Sequence, residues 1–596
     1  MKRTSHFQPH AITRTVRDDG SILLTSDYAL NVYAEKSGEW LHHWSETSPD
    51  RVLLAERTGD GWREESYSAA LQQVKSLAAA LLGRGMGPAS PILFMSVNSV
   101  DHGLLSLAAQ YIGAPIVPIA EQYSLIEAAH PRLLHAIELV RPKLAYVCDA
   151  EQYSSALSLD SMAGIEVIAS IPGANTSVTP MADLLKGDEG VDINAAYGAV
   201  TPDSVAKILM TSGSTSAPKG VLTTQRMMCV NQTQLASALP FLSEKPPRLL
   251  DWLPWNHVFG GSHNFNMMLA NGGSLYIDDG KPTPALFDRT LRNLRDITGT
   301  LSFNVPLGYD LLAKALANDG ALRKRFFGDL DLIFYAGASL PQDVWQALEQ
   351  MAFEVKGEVP LMTSSWGLTE TAPAVMLQSE PIDRSGVVGV PLPGITIKLL
   401  PDDDMRCEVR VKGPNIMPGY FEAPDKTGEA FDEEGFFITG DAMVFLDAHD
   451  PNQGMRFDGR ISEDFKLLSG TWVRAGQLRL DVLAALGPLA ADLVVTGADR
   501  DEIGVMVFPN PAEAAQMPAQ NGAVTDASVL ERVRTGLAAY SEAHSSSSTR
   551  VARAIVVSEP ASLADSEVTA KGNLNFRKVL MRRADLLALL YDTNDT

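Results

Sequence analysis

Between residues 68 and 119 the chain switches repeatedly between two periods. Residues 68–82 place apolar side chains at helical spacing and stop at Gly83, and 91–97 form a short apolar run. Residues 100–112 are helical again, and 113–119 are a second apolar run. Strand–helix–strand alternation predicts βαβ units and a mostly parallel sheet covered by helices, so an α/β fold is expected. Apolar runs at 144–147 and 165–169 extend the pattern. With 596 residues, the chain exceeds what one hydrophobic core organises, and at least two domains are expected.

Composition removes several functional classes. The net charge is -23 and no long basic run offsets it, which argues against a nucleic-acid surface. A hydrophobic content of 45% with 20% charged residues is that of an ordinary globular chain. Cys148, Cys229 and Cys407 are far apart, so neither a disulfide framework nor metal-ligand spacing is present, and a reducing compartment is expected. The first ten residues lack the apolar stretch of a signal peptide, and no run reaches the ~20 apolar residues of a membrane helix. These features predict a cytoplasmic protein with no membrane partner. Residues 1–50 read as an extended arm ending in a helix near Trp40 and Trp44. His42 and His43 are adjacent and point apart on a helix, which makes them poor joint metal ligands.

A second stretch carries chemistry. Met210-Thr-Ser-Gly-Ser-Thr-Ser-Ala-Pro-Lys-Gly220 follows the apolar run 204–210 and precedes a segment from Thr224 that reads as a helix. A strand, a Gly/Ser/Thr loop with one lysine, then a helix is a phosphate-binding arrangement. Small residues let backbone N–H groups approach phosphate oxygens, and the lysine adds charge. Gly213 and Lys219 have the spacing of the nucleotide-binding loop ending in Gly-Lys-Ser/Thr. Pro218 replaces its second glycine, and Gly220 stands where its magnesium hydroxyl would be. A metal ligand must therefore come from elsewhere. Taken alone, such a loop is as readily a polar surface turn.

The loop 211–220 resembles the signature of the adenylate-forming superfamily of acyl- and aryl-CoA ligases, peptide-synthetase adenylation domains and beetle luciferases. Further motifs follow in that superfamily's order: Tyr335-Ala-Gly-Ala-Ser-Leu340, Ser364-Ser-Trp-Gly-Leu-Thr-Glu370, Thr439-Gly-Asp441, Asp458-Gly-Arg-Ile-Ser-Glu-Asp-Phe-Lys466 and Thr569-Ala-Lys-Gly572. Together they cover the chain from about 205 onward. Gly38-Glu-Trp-Leu-His-His-Trp44, the run from Trp255 to Gly260 and the Lys571-Gly572 ending are most similar to bacterial feruloyl-CoA synthetases.

The resemblance implies a large N-terminal domain (1–461) of α/β subdomains plus a small β-barrel. A small mobile α/β domain (462–596) would follow a hinge near Ser462. Strand alternation at 394–400 and 408–412, with a turn at 401–404, is what such a barrel needs. The implied reaction joins a small-molecule carboxylic acid to AMP from ATP, with Mg2+, and passes the acyl group to CoA. The resemblance assigns the β- and γ-phosphates to Thr211, Ser212, Gly213, Ser214, Thr215 and Lys219. It assigns the α-phosphate to Thr369, Mg2+ to Glu370, and the adenine site to Gly337, Ala338, Ser365, Trp366 and Gly367. Asp441 and Arg460 fall on the ribose site. Lys571 is the C-terminal catalytic lysine, although a register anchored on Thr569 and Gly572 would put Asn573 there. Lys466 and Gly470 fall on the thioesterification face. The acid pocket is assigned to His257, Phe259, Phe303, Gly337 and Gly367, with Gly367 expected to leave room for a flat acid. His257 joins Lys571, Lys219 and Thr369 as a catalytic candidate. Ser216 and Ser462 depart from the usual glycine and from the usual Asp or Lys.

Singly, Glu370 reads as a surface carboxylate, Asp441 as a turn former, Arg460 as a surface charge and Phe303 as plain core. Their order as a set favours an acid–CoA ligase for ferulate, p-coumarate or caffeate. A medium-chain or other aryl acid ligase and a free-standing enzyme loading a carrier protein are the alternatives. A silent nucleotide-binding or regulatory protein is the reading from another class, and the retained Lys219, Glu370 and Asp441 count against it. No carrier domain is evident after Lys571, which favours free CoA. A homodimer is compatible with this class, and the oligomeric state stays open.

Overall fold

The structure is a computed structural model describing residues 1–596 except 5, 176, 212–217, 284, 338, 511–516, 563–564, 566, 569–573 and 593–596, with only the backbone at 488. A seven-stranded sheet runs in the order Lys219–Thr224, Val205–Thr211, Ile116–Pro118, Ile92–Phe94, Leu144–Asp149, Glu166–Ile171, Thr179–Pro180. Every neighbouring pair is parallel except the first. The alternation at 68–119 thus builds what it predicts. The helix Tyr67–Gly83 is capped by Ser66, whose hydroxyl accepts from Ala69 N–H, and it buries Ala70, Val74, Leu77, Ala78 and Leu81 on one face. The helix Val100–Tyr111 is capped the same way by Ser99.

Two smaller sheets carry the segments of the expected acid pocket. Arg248–Asp251, Ser274–Ile277, Val52–Thr58 and Gly61–Ser66 form one. Leu301–Asn304, Leu332–Tyr335 and Leu361–Thr363 form the other, which is wholly parallel.

Two expectations need correction. The loop after Thr211 does not lead into a helix. It closes an antiparallel hairpin, with Thr211 opposite Lys219, and the helix Gln225–Ala238 begins at the far end of the strand Lys219–Thr224. At ~3.4 Å per residue that strand separates the helix N-terminus from the loop by roughly 17–20 Å, beyond the reach of a helix terminus, whose effect fades within one turn. The N-terminal residues are not simply an arm. Ile12–Val16 and Ile22–Ser26 pair with each other, and the second pairs with Thr396–Pro401. They thereby open a nine-stranded antiparallel sheet that continues through Cys407–Lys412, Phe437–Phe445, Met455–Arg460, Val387–Pro391 and Ala374–Leu377 to Ser365–Gly367. The expected helix follows at Ser37–Thr47.

Among the described residues, no strand after 462 pairs with one before it. The two apolar clusters there, one on the helix Ala475–Leu486 and one around Val494, Met506 and Leu586, contain no residue before Phe465. Contacts with the rest include a buried ion pair, Arg406 to Asp464 at 2.7 Å, with Arg406 also held by Asp458 at 2.8 Å, and Arg474 reaching Asp404 at 2.8 Å on the surface. Among the described residues no helix is long and apolar enough to cross a membrane.

Candidate active site

The hairpin holding the loop is tied down along its outer edge. Leu222 N–H donates to the Gly419 carbonyl at 3.2 Å, and Phe421 N–H to the Gly220 carbonyl at 2.7 Å. His135 Nε2 lies 2.8 Å from the Pro218 carbonyl. This edge pairing brings Tyr420 over Lys219, whose ammonium is 4.4 Å from the ring centroid. The Tyr420 hydroxyl donates to Glu370 Oε1 at 3.1 Å. Glu370 sits in the single turn Thr369–Thr371, fixed by Met417 N–H donating to its carbonyl at 2.8 Å and by Asn415 Nδ2 donating to the Thr371 carbonyl at 2.7 Å. Lys219 and Glu370, 151 residues apart in sequence, therefore flank one tyrosine. Burial and the neighbouring Glu370 push the Tyr420 phenol above its ordinary range, so it stays a neutral donor. No reading of the sequence singled out Tyr420.

Ser212, Gly213, Ser214, Thr215, Ala338 and Lys571, with its alternative Asn573, lie outside the described residues. Thr211, at the end of its strand, is half-buried, as is Thr369.

Asp441 is 2% exposed. Its Oδ2 accepts from the Trp366 indole N–H at 2.8 Å, and Arg460 Nε lies 3.4 Å from its Oδ1. The antiparallel register places Asp441 directly opposite Arg460. Burial pushes the Asp441 carboxyl up, while Arg460 and Trp366 pull it down and the nearby Glu370 charge adds to the rise. Trp366 is itself buried, at 6% exposed, with its polar end committed to Asp441. One carboxylate oxygen of Asp441 thus already has a donor in the Trp366 indole. Ser365 is half-buried beside it.

The two glycines behave differently. Gly337 has φ +91, and a Cβ there would meet only Val305, at 4.0 Å, so its side is open. Gly367 does not leave room for a ligand on its side-chain face. A Cβ there would lie 1.8 Å from the Pro373 carbonyl oxygen, because the strand Ser365–Gly367 crosses Ala374–Leu377 at a register shift. The missing side chain lets two backbones meet, which corrects its expected part in the acid pocket.

Phe259 and Phe303 come together, with ring centroids 6.0 Å apart. Both pack on Phe334, at 5.7 and 5.0 Å, and on His263, at 5.6 and 5.5 Å. Phe334 and His263 were missed from sequence. The available signals were the four-residue spacing of Phe259 and His263 and the cross-strand pairing of Phe303 with Phe334. His257 is half-buried at the start of this turn, and its Nδ1 accepts from Phe259 N–H at 3.2 Å, which leaves the proton of the neutral ring on Nε2.

Lys466 and Gly470 lie on the small hairpin Phe465–Lys466/Trp472–Val473. Lys466 is exposed with its ammonium 4.9 Å from the Trp472 ring, and Gly470 turns the chain at φ +82.

For a magnesium ion, Glu370 fits as one oxygen ligand with a cation beside it. That suits a hard ion arriving with phosphates and keeping its waters better than it suits an all-protein cage. Among the described residues no group of three or more His, Cys, Asp or Glu side chains could hold a metal alone.

Comparison with known proteins places this arrangement. A long-chain-fatty-acid–CoA ligase of Escherichia coli O6:H1 is 29% identical over 324 residues, 52% of this chain and 53% of that protein. The matched region thus spans about half the length of such curated relatives. ATP-bound MatB from Rhodopseudomonas palustris shares the fold with a TM-score of 0.69 and 21% identity, covering 92% of this chain and 99% of that one. The anthranilate CoA ligase AuaEII, solved with anthranoyl-AMP, gives a TM-score of 0.72 at 18% identity over 94% and 99%. The adenylate-forming fold of this chain, with a large N-terminal and a small C-terminal α/β unit, is matched by such solved structures. The family described as AMP-binding enzyme matches residues 41–421, well over half of the sequence, and the chain belongs to that family.

Proposed function

We propose that the protein is an ATP-dependent acid–CoA ligase working through an acyl-adenylate, and that its acid is a hydroxycinnamate. The observation carrying the first part is the Lys219–Tyr420–Glu370 cluster at the base of the Ser/Thr loop. It puts an ammonium and a carboxylate at one place, as an anionic triphosphate with its cation requires. A carboxylate oxygen attacks the α-phosphorus, and the bond to pyrophosphate breaks. The CoA thiolate then attacks the acyl carbon, and the bond to AMP breaks. Both steps bring anions together, so positioning and charge neutralisation dominate. Lys219 and the loop hold the outer phosphates, Thr369 the α-phosphate, and Trp366, Asp441 and Arg460 the nucleoside. Mg2+ held at Glu370 would supply further charge neutralisation. Residues 462–596 turn about Ser462, presenting Lys571 for the first step and the Lys466–Gly470 hairpin for the second.

The aromatic acid is supported by the Phe259–Phe303–Phe334 cluster beside His257, where a flat ring finds faces and edges that a saturated chain uses less well. The relatives named as ligases of fatty acids and of anthranilate show that this family's acids vary, so the acid must be measured. The test is a panel of ferulate, p-coumarate, caffeate, benzoate and octanoate with MgATP and CoA, following AMP and thioester. A hydroxycinnamate is expected to give the highest kcat/KM. Octanoate or benzoate ahead would remove the hydroxycinnamate and leave the ligase. AMP release that needs a carrier protein in place of CoA would replace CoA as the acyl acceptor.

A further inference from the structure

His263 is fully buried, and its ring is held from one side only. Nδ1 lies 2.9 Å from Asn264 Oδ1, and Asn264 Nδ2 donates to Asp251 Oδ2 at 2.9 Å. The order of donors in this chain settles the tautomer. Asn264 spends its amide N–H on the carboxylate, so its oxygen accepts, and Nδ1 of His263 must carry the proton. Nε2 then holds a lone pair. It is buried and has no hydrogen-bond partner among the described residues. The turn carrying it is well anchored: Gln232 Nε2 donates to the Ser262 and His263 carbonyls at 3.1 and 3.2 Å, and the buried Lys207 ammonium to the Gly261 carbonyl at 2.5 Å. A rigid, buried acceptor with nothing to accept from is costly unless a ligand supplies the donor.

The ring stands against Phe303, Phe334 and Phe259, with centroids 5.5, 5.2 and 5.6 Å away. Phe259 is the most accessible of the three phenyls, at 9% against 3% and 1%. We propose that His263 is the specificity-determining acceptor for a hydroxyl on the ring of the acid, its Nε2 taking a hydrogen bond from a phenol seated among Phe259, Phe303 and Phe334. This rests on the aryl-acid reading above and adds what that reading lacks, a polar partner for the phenol.

The experiment compares kcat/KM for p-coumarate and cinnamate, which differ by that hydroxyl, in thioester formation with MgATP and CoA. Wild type is expected to favour p-coumarate at least about tenfold, since a site built to bond a hydroxyl discriminates strongly against its absence. His263→Phe, which keeps the ring packing and removes the acceptor, should bring the ratio close to one. His263→Gln, with an acceptor oxygen of similar reach, should restore part of it. Each ratio is taken within one variant, so a partly folded preparation does not distort it. Equal use of the two acids by wild type overturns the assignment with no variant needed. A preference that survives His263→Phe overturns it too, while the aryl-acid reading stands. If neither acid is used and a saturated acid is, the aryl-acid reading fails and takes the assignment with it.

Discussion

Asp251 anchors the chain that orients His263, and it does so from full burial. Burial pushes its carboxyl up to about 7, against the pull of Asn264 and of Leu253 N–H. An unfolded aspartate titrates near ~4. Between about pH 4 and pH 7 the folded chain therefore keeps a proton that the unfolded chain has released, so folding loses stability as pH rises through that window. Asp251→Asn removes the ionisation. The variant should gain on wild type as pH rises, by roughly 2–4 kcal/mol between about pH 5 and pH 8, read from urea midpoints. A difference that stays flat with pH would mean Asp251 is not paying for its charge. Lys219 and Glu370 can be named from sequence through the family's motifs. Tyr420, which stands between them, cannot. Its place depends on the segment at 419–421 pairing with a strand 200 residues earlier, and nothing in the local pattern of Gly419-Tyr-Phe421 announces that. His263 is hidden for a similar reason, since a lone histidine in an apolar turn reads as core until the fold shows which nitrogen is bonded.

At the scale of elements, Gly367 tests how tightly the strand carrying Trp366 is built. Gly367→Ala would press a methyl into the Pro373 carbonyl, and the hairpin between Ser365–Gly367 and Ala374–Leu377 would have to open. A cost of about 1–3 kcal/mol is expected, together with weaker ATP binding, because Trp366 and its bond to Asp441 move with the strand. Wild-type melting and wild-type ATP affinity in this variant would show the contact to be soft. The helices and central strands of the parallel sheet are legible in sequence because period and burial coincide there: the face repeating through 70, 74, 77, 78 and 81 is the one that packs. The strand Lys219–Thr224 is not legible. Its six residues mix a lysine, a glycine and two threonines, and they run straight into a helix whose periodicity masks the boundary.

Across the whole molecule, the hold on the residues after Ser462 is ionic at its centre. Arg406, just before the strand Cys407–Lys412, binds Asp458 on one side and Asp464, two residues after Ser462, on the other, with all three side chains buried. Asp464→Ala leaves Arg406 one partner, so the fold should tolerate it at a cost of about 1–3 kcal/mol. If the chain turns about Ser462 as proposed, the segment should open more often, giving faster cleavage near 460–464 in limited proteolysis. Cleavage at the wild-type rate would show that other contacts set the orientation. The sequence is silent on Arg406, whose grip is a matter of packing between distant segments. The same distance governs the order in which the molecule can be made. The strand Ile22–Ser26 finds its partner Thr396–Pro401 only about 370 residues later, on the order of tens of seconds of synthesis. Until then the hairpin of Ile12–Val16 and Ile22–Ser26 carries an open edge, the kind that recruits strands from other chains. The sheet it begins ends at Trp366 and includes Asp441 and Arg460. A nascent chain therefore completes this sheet only once Thr396–Pro401 and the strands after it have emerged, and ribosome-bound intermediates that have not yet exposed them are the ones a chaperone must shield.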